Sequence, residues 1–119
     1  NQIVQVLVNV MQNSCEALAE KLEKSPRLRS TFEPTIVLKT RSDKHKELVI
    51  EISDNGVGVK DTDLSRVFNP FFTTKDNTKN PGLGLSVGYQ IIKEHQGQME
   101  ISSVHGESTT IVIRLPLVN

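Results

Sequence analysis

Hydrophobic side chains recur at helical spacing through the first 24 residues of this chain and at strand spacing farther along. The helical stripe predicts one long amphipathic helix over residues 1–24. Residue 1 already lies inside the stripe with no capping signal before it, so we expect one domain, residues 1–119, excised from a longer protein. The stripe consists of Ile3, Leu7, Val10, Met11, Ser14, Cys15, Leu18 and Leu22.

Alternation of apolar and polar residues predicts four short strands after this helix. Two of them precede the central part of the chain, at 36–41 and 47–53. The other two follow it, one at Met99 and Ile101 and one at 111–115.

The centre of the chain is mostly polar. It is predicted to hold a short helix at 63–67, a loop at 73–81 and a helix at 84–96 that ends at Gly97. The order of elements predicts an α+β two-layer sandwich, with helices packed on one face of a mixed, mostly antiparallel sheet.

The composition excludes several classes of protein. Fourteen basic and fourteen acidic residues cancel, which argues against a nucleic-acid-binding protein that relies on a broad basic surface. The one cysteine, Cys15, cannot form an internal disulfide, and its place in the stripe predicts packing in the core. No apolar run reaches the roughly 18 residues of a membrane span. We therefore expect a cytoplasmic domain without direct membrane contact.

Asn9 and Asn13 lie one turn apart on the polar face of the first helix. A polar helix face is usually only solvated, but asparagine is a mediocre helix former, so two on one face are notable. Amide oxygens suit Mg²⁺, a hard cation that also binds phosphate oxygens and water. The pair is a candidate metal site, with simple solvation as the alternative.

Asp54 continues the inward parity of the second strand, after Leu48, Ile50 and Ile52. A carboxylate that leaves a strand on its apolar side needs a partner. From the residues alone two interpretations stay open: Asp54 caps the turn that Asn55 begins, or it binds a ligand.

The segment Gly82-Leu83-Gly84-Leu85-Ser86 opens the second long helix. Unpaired N–H groups and the dipole at a helix start favour phosphate. The segment is not a Walker loop, because no Gly-Lys-Ser or Gly-Lys-Thr follows it, and Gly88 is misplaced for a Rossmann fingerprint. A flexible loop before a glycine-tolerant helix is the alternative.

Together with the stretch Phe68–Lys75, these motifs resemble the N, G1, F and G2 boxes of the ATP-binding domain of bacterial sensor histidine kinases, which has the Bergerat fold. The resemblance covers nearly the whole chain, and the Phe-Phe-Thr-Thr-Lys sequence is most similar to the nitrogen-regulation branch. Two residues depart from the family: Asn69 replaces a frequent glutamate, and Asn80 replaces a usual glycine.

The resemblance implies a domain that binds ATP and Mg²⁺ and supplies the γ-phosphate for autophosphorylation of a histidine. That histidine would lie on a separate dimerisation domain, and a response regulator would receive the phosphoryl group from it. None of His45, His95 and His105 lies in a segment that resembles the phosphoacceptor box. We expect the isolated domain to be monomeric and to lack the acceptor.

The resemblance also implies roles for individual residues. Asn13 would bind Mg²⁺, and Asn9, Asn13 and Lys75 would serve transfer. Asp54 would accept a hydrogen bond from the adenine amino group, with Gly56 and Gly58 allowing close approach to the ring. The remaining ATP-binding positions would be Phe71, Thr73, Thr74, Gly82, Leu83, Gly84, Leu85, Ser86 and Thr109.

Related functions remain as alternatives. Topoisomerase, mismatch-repair and chaperone ATPases of the same superfamily carry a glutamate base where this chain has Asn9, and an amide cannot act as a base. Anti-sigma serine kinases also generally keep an acidic residue there. A degenerate nucleotide-sensing module is the non-enzymatic alternative.

Overall fold

The computed structural model describes residues 1–42, 46–69 and 84–117. The predicted loop at 73–81 lies outside these residues. The helices are α1 (Gln2–Lys24), α2 (Asp61–Leu64) and α3 (Gly84–Glu94). The strands are β1 (Ile36–Ser42), β2 (Glu47–Asp54), β3 (Gln98–Val104) and β4 (Ser108–Pro116).

The four strands form one sheet in the order β1-β2-β4-β3, and the three pairings are all antiparallel. β2 is therefore an interior strand. Its last residue, Asp54, pairs with Ile36 on β1 and with Thr109 on β4. Asp54 thus leaves the sheet between two neighbouring strands.

The core lies between the sheet and the pair α1 and α3, so the predicted two-layer sandwich is confirmed. The two helices approach closely at Gly88 of α3, where an added Cβ would be 3.3 Å from a methyl carbon of Val6. Apolar burial of this kind drives folding. The buried core residues are Val6, Val10, Ile50, Ile52, Ile91, Ile92, Met99, Ile111, Ile113 and Leu115.

α1 differs from the sequence prediction in two respects. Asn1 does not belong to the helix but caps it, because its side-chain Oδ1 accepts a hydrogen bond from the Ile3 N–H at 2.8 Å. Cys15 is exposed, so the prediction that it packs in the core is wrong. The buried side of α1 runs through Val10, Ser14 and Leu18, and the residue after Ser14 is rotated from it by about 100°.

β1 is an edge strand with little burial. Leu38 is 55% exposed although its partner on β2, Ile52, is fully buried. α1 packs on β2 and α3 packs on β3. β1 therefore shows the alternation of apolar and polar residues, but its apolar side chains lack the burial that usually accompanies this pattern.

The connections also differ in detail. The segment after α1 contains a 3-10 helix, Pro26–Ser30, which the pattern of apolar residues did not predict. α2 begins at Asp61 and ends at Leu64, two to three residues before the predicted bounds of 63–67.

The end of α3 is built around Gln96 rather than Gly97. Gln96 has a left-handed backbone with φ of 62°, its N–H donates to Lys93 O at 3.0 Å, and the Gly97 N–H donates to Ile92 O at 2.8 Å. This is a Schellman ending with a non-glycine residue at the left-handed position. α3 thus ends at Glu94, two residues before the predicted bound of 96. Gly97 is required for a different reason, because a Cβ there would collide with the carbonyl oxygen of Arg114 on β4.

We expect Gln96→Gly and Gly97→Ala to change stability in opposite directions. Gln96→Gly should raise the free energy of unfolding by about 1 kcal/mol, because glycine relieves the left-handed strain. Gly97→Ala should lower it by roughly 1–3 kcal/mol, because the backbone of β4 must shift. Urea denaturation of both variants measures the two changes.

Gly106→Ala is the comparison variant, because that glycine has a positive φ of 87° and yet nothing lies within 4 Å of the place that a Cβ would take. Its loss of stability should come from backbone strain alone and amount to about 1 kcal/mol. The loss for Gly97→Ala should be larger. A loss for Gly97→Ala no larger than that for Gly106→Ala would contradict contact with β4 as the reason for Gly97.

Candidate functional site

The Asp54 carboxylate lies at the end of β2 and is only 6% exposed. Its Oδ1 accepts a hydrogen bond from the Gly56 N–H at 2.9 Å. The inward position predicted for Asp54 is confirmed. The turn-capping interpretation is also correct in part, because the Gly56 contact is an Asx-type bond two residues ahead.

Burial raises the pKa of Asp54 above its ordinary value of 3.8, because desolvation penalises the charged form. The Gly56 N–H, the Ser14 hydroxyl and the positive charge of Lys21 act in the opposite direction, yet desolvation outweighs them. The fold therefore holds a carboxylate in a place that disfavours its charge.

Asn55 fixes the backbone that follows Asp54. Its Oδ1 accepts a bond from the Thr35 N–H at 2.8 Å, and its Nδ2 donates to Glu33 O at 3.0 Å. The Lys21 ammonium donates to the Asn55 carbonyl at 2.9 Å. The turn is thus bonded both to the segment before β1 and to α1.

Gly56 and Gly58 allow two close approaches within the protein itself. A Cβ on Gly56 would come within 2.8 Å of both Cβ and the carbonyl carbon of Ala17 on α1. Gly58 has φ of +73°, and a Cβ there would collide with the Val104 carbonyl oxygen of β3. Both glycines are therefore required by packing, whether or not the loop also approaches an adenine ring.

The turn between β3 and β4 holds the far side of the same loop. The Gly106 N–H donates to Val57 O at 2.6 Å, and the Val59 N–H donates to the Ser103 hydroxyl oxygen at 2.8 Å. Ser103 also donates to Ser108 O at 2.6 Å and lies 3.0 Å from the hydroxyl of Thr109. Thr109, a predicted ATP-binding residue, thus lies opposite Asp54 and within this network.

Asn9 and Asn13 are both half-buried on α1, on the face that also carries Gln5. The Gln5 Nε2 donates to Asn9 Oδ1 at 3.3 Å. Among the described residues no group of three or more His, Cys, Asp and Glu could hold a metal ion. Asn13 lies about one turn before Ala17, where the loop after Asp54 meets α1, so α1 brings the predicted metal ligand and the predicted base contact to one region.

α3 begins at Gly84, as the G2 resemblance implied, and Ser86 is buried in its first turn. Leu85 packs against the core. Before the helix, Phe68 stacks on Tyr89 of α3 with ring centroids 4.7 Å apart. Phe71, Thr73, Thr74, Lys75, Gly82 and Leu83 lie outside the described residues, and their predicted roles stay predictions.

The described histidines have ordinary surroundings. His95 is exposed, with Nδ1 2.8 Å from Ile91 O at the end of α3, and His105 is exposed in the β3–β4 turn. His45 lies outside the described residues. No helix in the described part of the chain combines the length and the apolar character that crossing a bilayer requires.

Sequence reasoning missed the residues that support Asp54. Ser14 was assigned to the apolar stripe, although a hydroxyl in a buried stripe needs a partner and could have been matched with Asp54. Lys21 on the buried side of a helix carries a similar signal, since a partly buried ammonium also needs oxygen partners. The hydrogen bond from the Val59 N–H to Ser103 could not be predicted from a single sequence, because the two residues are 44 positions apart.

We expect Asp54→Asn to become relatively more stable than the wild type as pH rises. Since the folded-state pKa of Asp54 is raised, the folded protein binds more protons than the unfolded chain above pH 3.8, and wild-type stability falls as pH rises through the folded pKa. Asparagine does not titrate and still offers Oδ1 to Gly56. The difference should grow by about 1.4 kcal/mol for each unit by which the pKa is raised, and then level off. Denaturation of both proteins from about pH 4 to pH 8 measures it.

Asp61→Asn serves as the control, because Asp61 is an exposed aspartate at the start of α2. This variant should not reproduce the trend. A stability difference between Asp54→Asn and wild type that stays constant with pH would contradict the burial argument.

The chain matches a known family over its whole length. Residues 1–119 match the model of the family described as histidine kinase-, DNA gyrase B-, and HSP90-like ATPase. A putative sensor protein of Shewanella frigidimarina is 39% identical over 92% of this chain and 15% of its own length. Sporulation kinase E of Bacillus subtilis is 34% identical over 98% of this chain and 14% of its own length.

A third relative concerns the nitrogen-regulation branch, to which the sequence was most similar. The sensory histidine kinase/phosphatase NtrB of Rhizobium meliloti is 35% identical over 95% of this chain and 30% of its own length. The chain thus spans less than a third of each of these relatives. The sandwich fold and the buried Asp54 at the end of β2 agree with a family match that covers every residue. This chain therefore belongs to the family of histidine kinase-, DNA gyrase B- and HSP90-like ATPases.

Proposed function

We propose that this domain binds Mg²⁺-ATP and supplies the γ-phosphate for autophosphorylation of a histidine on a separate dimerisation domain. One observation carries the nucleotide part of the proposal: a buried carboxylate, Asp54, is held in a loop that is bonded to α1, to the segment before β1 and to the β3–β4 turn. A group with a raised pKa, fixed from several sides, is typical of functional sites.

The Asp54 carboxylate has acceptor positions left that suit the amino group of an adenine base. An ionised carboxylate offers about four acceptor positions, and the Gly56 N–H occupies one of them. The exocyclic amino group of adenine is a donor that could take a further position. A base with a carbonyl at that place would be repelled by the same oxygen atoms.

Asn13 is the residue that would hold Mg²⁺, and Asn9 would line the same pocket one turn away. An amide oxygen supplies a neutral ligand, and phosphate oxygens and water complete the shell that Mg²⁺ prefers. The half-buried placement of both side chains on α1 supports these roles. Lys75 remains the proposed contact for the terminal phosphates.

ATP supplies the phosphoryl group, so the tasks of the protein are to bind, orient and neutralise charge. Asn9 cannot take a proton from water, which favours transfer to another group over hydrolysis. The relatives named as sensor and sporulation kinases support a kinase. The dimerisation domain, a response regulator as final acceptor and a cytoplasmic location belong to this proposal.

Asp54→Asn should weaken the binding of ATP and ADP equally, because the lost contact is to the base. Loss of a hydrogen bond to a charged group amounts to roughly 1.5–3 kcal/mol, or about a tenfold to a hundredfold increase in Kd. Titration calorimetry on the folded variant, with Asp61→Asn as control, measures the change. An unchanged affinity for both nucleotides would remove Asp54 from the site.

Asn13→Ala should abolish most of the Mg²⁺-dependent part of ATP affinity and reduce phosphoryl transfer at least tenfold. Affinity is compared with Mg²⁺ and with a chelator. Transfer is measured as acid-labile label from radioactive ATP on a dimerisation domain from the same full-length kinase, added in trans. The wild-type domain alone should take up no such label.

Gln12→Ala is the matched control, since Gln12 is an exposed amide next to Asn13 on α1. It should retain both the Mg²⁺ effect and the transfer. An equal Mg²⁺ enhancement in wild type and Asn13→Ala would rule out Asn13 as the ligand. Acid-labile label on the isolated domain would show that it carries its own acceptor.

A further inference from the structure

Three polar side chains form one row across the inner face of the sheet, the face that packs against α1 and α3. Asp54 on β2 lies opposite Thr109 on β4, and Thr109 in turn lies opposite Ser103 on β3. Side chains of directly opposed residues on one face of a sheet are close together. The row therefore brings two hydroxyl groups beside the carboxylate of the proposed base contact. The next row on the same strands is apolar and consists of Ile52, Ile111 and Ile101.

The Ser103 hydroxyl uses all of its hydrogen-bonding positions. Its O–H donates to the Ser108 carbonyl at 2.6 Å, and a carbonyl oxygen can only accept. Its oxygen accepts the Val59 N–H at 2.8 Å. The remaining contact joins its oxygen to the Thr109 hydroxyl oxygen at 3.0 Å. Since the single proton of Ser103 already binds Ser108, Thr109 is the donor in this contact.

The direction of this bond leaves Thr109 with acceptor positions only. A hydroxyl has one proton and two lone pairs, and the proton of Thr109 points to β3, away from Asp54. Thr109 therefore offers lone pairs to a ligand and has no proton left for the carboxylate. We propose that Ser103 is a positioning residue: it holds the proton of the Thr109 hydroxyl and so makes Thr109 a second acceptor beside Asp54.

This inference rests on the proposed function and adds a residue to it. The exocyclic amino group of adenine carries two protons, and a pair of neighbouring acceptors can bind both. Hypoxanthine has a carbonyl oxygen at the same ring position, and two acceptors repel it. Without its partner on β3, the Thr109 hydroxyl would be free to rotate and donate to that carbonyl. Ser103 thus contributes to the preference for adenine without touching the base.

Ser103 also has a structural role that must be separated from this one. Its bonds to Val59 and Ser108 connect the loop after β2 with the β3–β4 turn. Loss of these bonds alone would weaken the binding of both purine nucleotides to the same extent. The ratio of the affinities for two bases is therefore the measurement that distinguishes the two roles.

The test is Ser103→Ala, with Kd for ADP and for inosine diphosphate measured by titration calorimetry. The affinity for ADP should fall about threefold to tenfold. The affinity for inosine diphosphate should fall less, so that the ratio of the two narrows. Ser103→Cys, whose thiol forms weaker hydrogen bonds, should change the ratio in the same direction by a smaller factor, and it replaces Ser103→Ala if alanine prevents folding. Ser103→Thr keeps the hydroxyl and should keep the wild-type ratio.

A double-mutant cycle tests whether Ser103 acts through Thr109. Thr109→Val removes the hydroxyl that Ser103 is proposed to hold. Adding Ser103→Ala to Thr109→Val should therefore not change the ratio of the two affinities any further. A ratio that narrows again in the double variant would contradict action through Thr109.

Ser53→Ala is the matched control, because the Ser53 and Thr110 hydroxyl groups form the same kind of cross-strand pair, at 3.0 Å, on the other face of the sheet. It should leave the affinity ratio unchanged. An unchanged ADP affinity in Ser103→Ala, or an equal loss for both nucleotides, would overturn the role of Ser103 while leaving nucleotide binding in place. Absence of ADP binding by the wild type would overturn the proposed function as well.

Discussion

The contact between Gly56 and Ala17 determines the geometry of the whole candidate site. No side-chain atom of Gly56 separates the loop after β2 from the middle of α1, and the Val57 N–H donates to the Ala17 carbonyl at 3.2 Å. This contact holds the loop that follows Asp54 beside the helix that carries Asn9 and Asn13. The proposed base contact and the proposed metal ligand therefore depend on a single helix–loop approach. A larger residue at position 56 would separate them.

At Asp54, stability and the proposed function oppose each other. The fold supplies a backbone N–H, a hydroxyl and a nearby ammonium, and burial still raises the pKa of the carboxylate. Contacts that only partly offset the burial of Asp54 suit a carboxylate that binds a further hydrogen-bond donor. A carboxylate whose acceptor positions were all occupied could not bind a ligand. In the proposed complex, the adenine amino group would add the missing donor and favour the charged form.

The sequence predicted those features that depend on periodicity. α1, the strands and the inward parity of Asp54 follow from spacing alone, because burial on one face imposes it. The exposure of Cys15 and Leu38 could not be predicted, since spacing gives the width of an apolar arc but not which part of it another element covers. Gln96 was missed because the left-handed position at a helix end is usually glycine, and here the adjacent glycine serves a different contact. The roles assigned to the segment between Phe68 and Gly84 stay predictions.

The glycines of the Asp-Asn-Gly-Val-Gly motif have a consequence for how the motif is interpreted. Gly56 meets α1 and Gly58 meets β3, so this fold needs both even without a nucleotide. A degenerate module that had lost ATP binding would have to keep them. Their presence therefore indicates the fold rather than the activity. Asp54 is different, because a buried carboxylate with a raised pKa opposes stability, and the ligand of the proposed complex would offset that cost by donating to it. Asp54, together with Asn9 and Asn13, is thus the stronger argument for a nucleotide-binding domain.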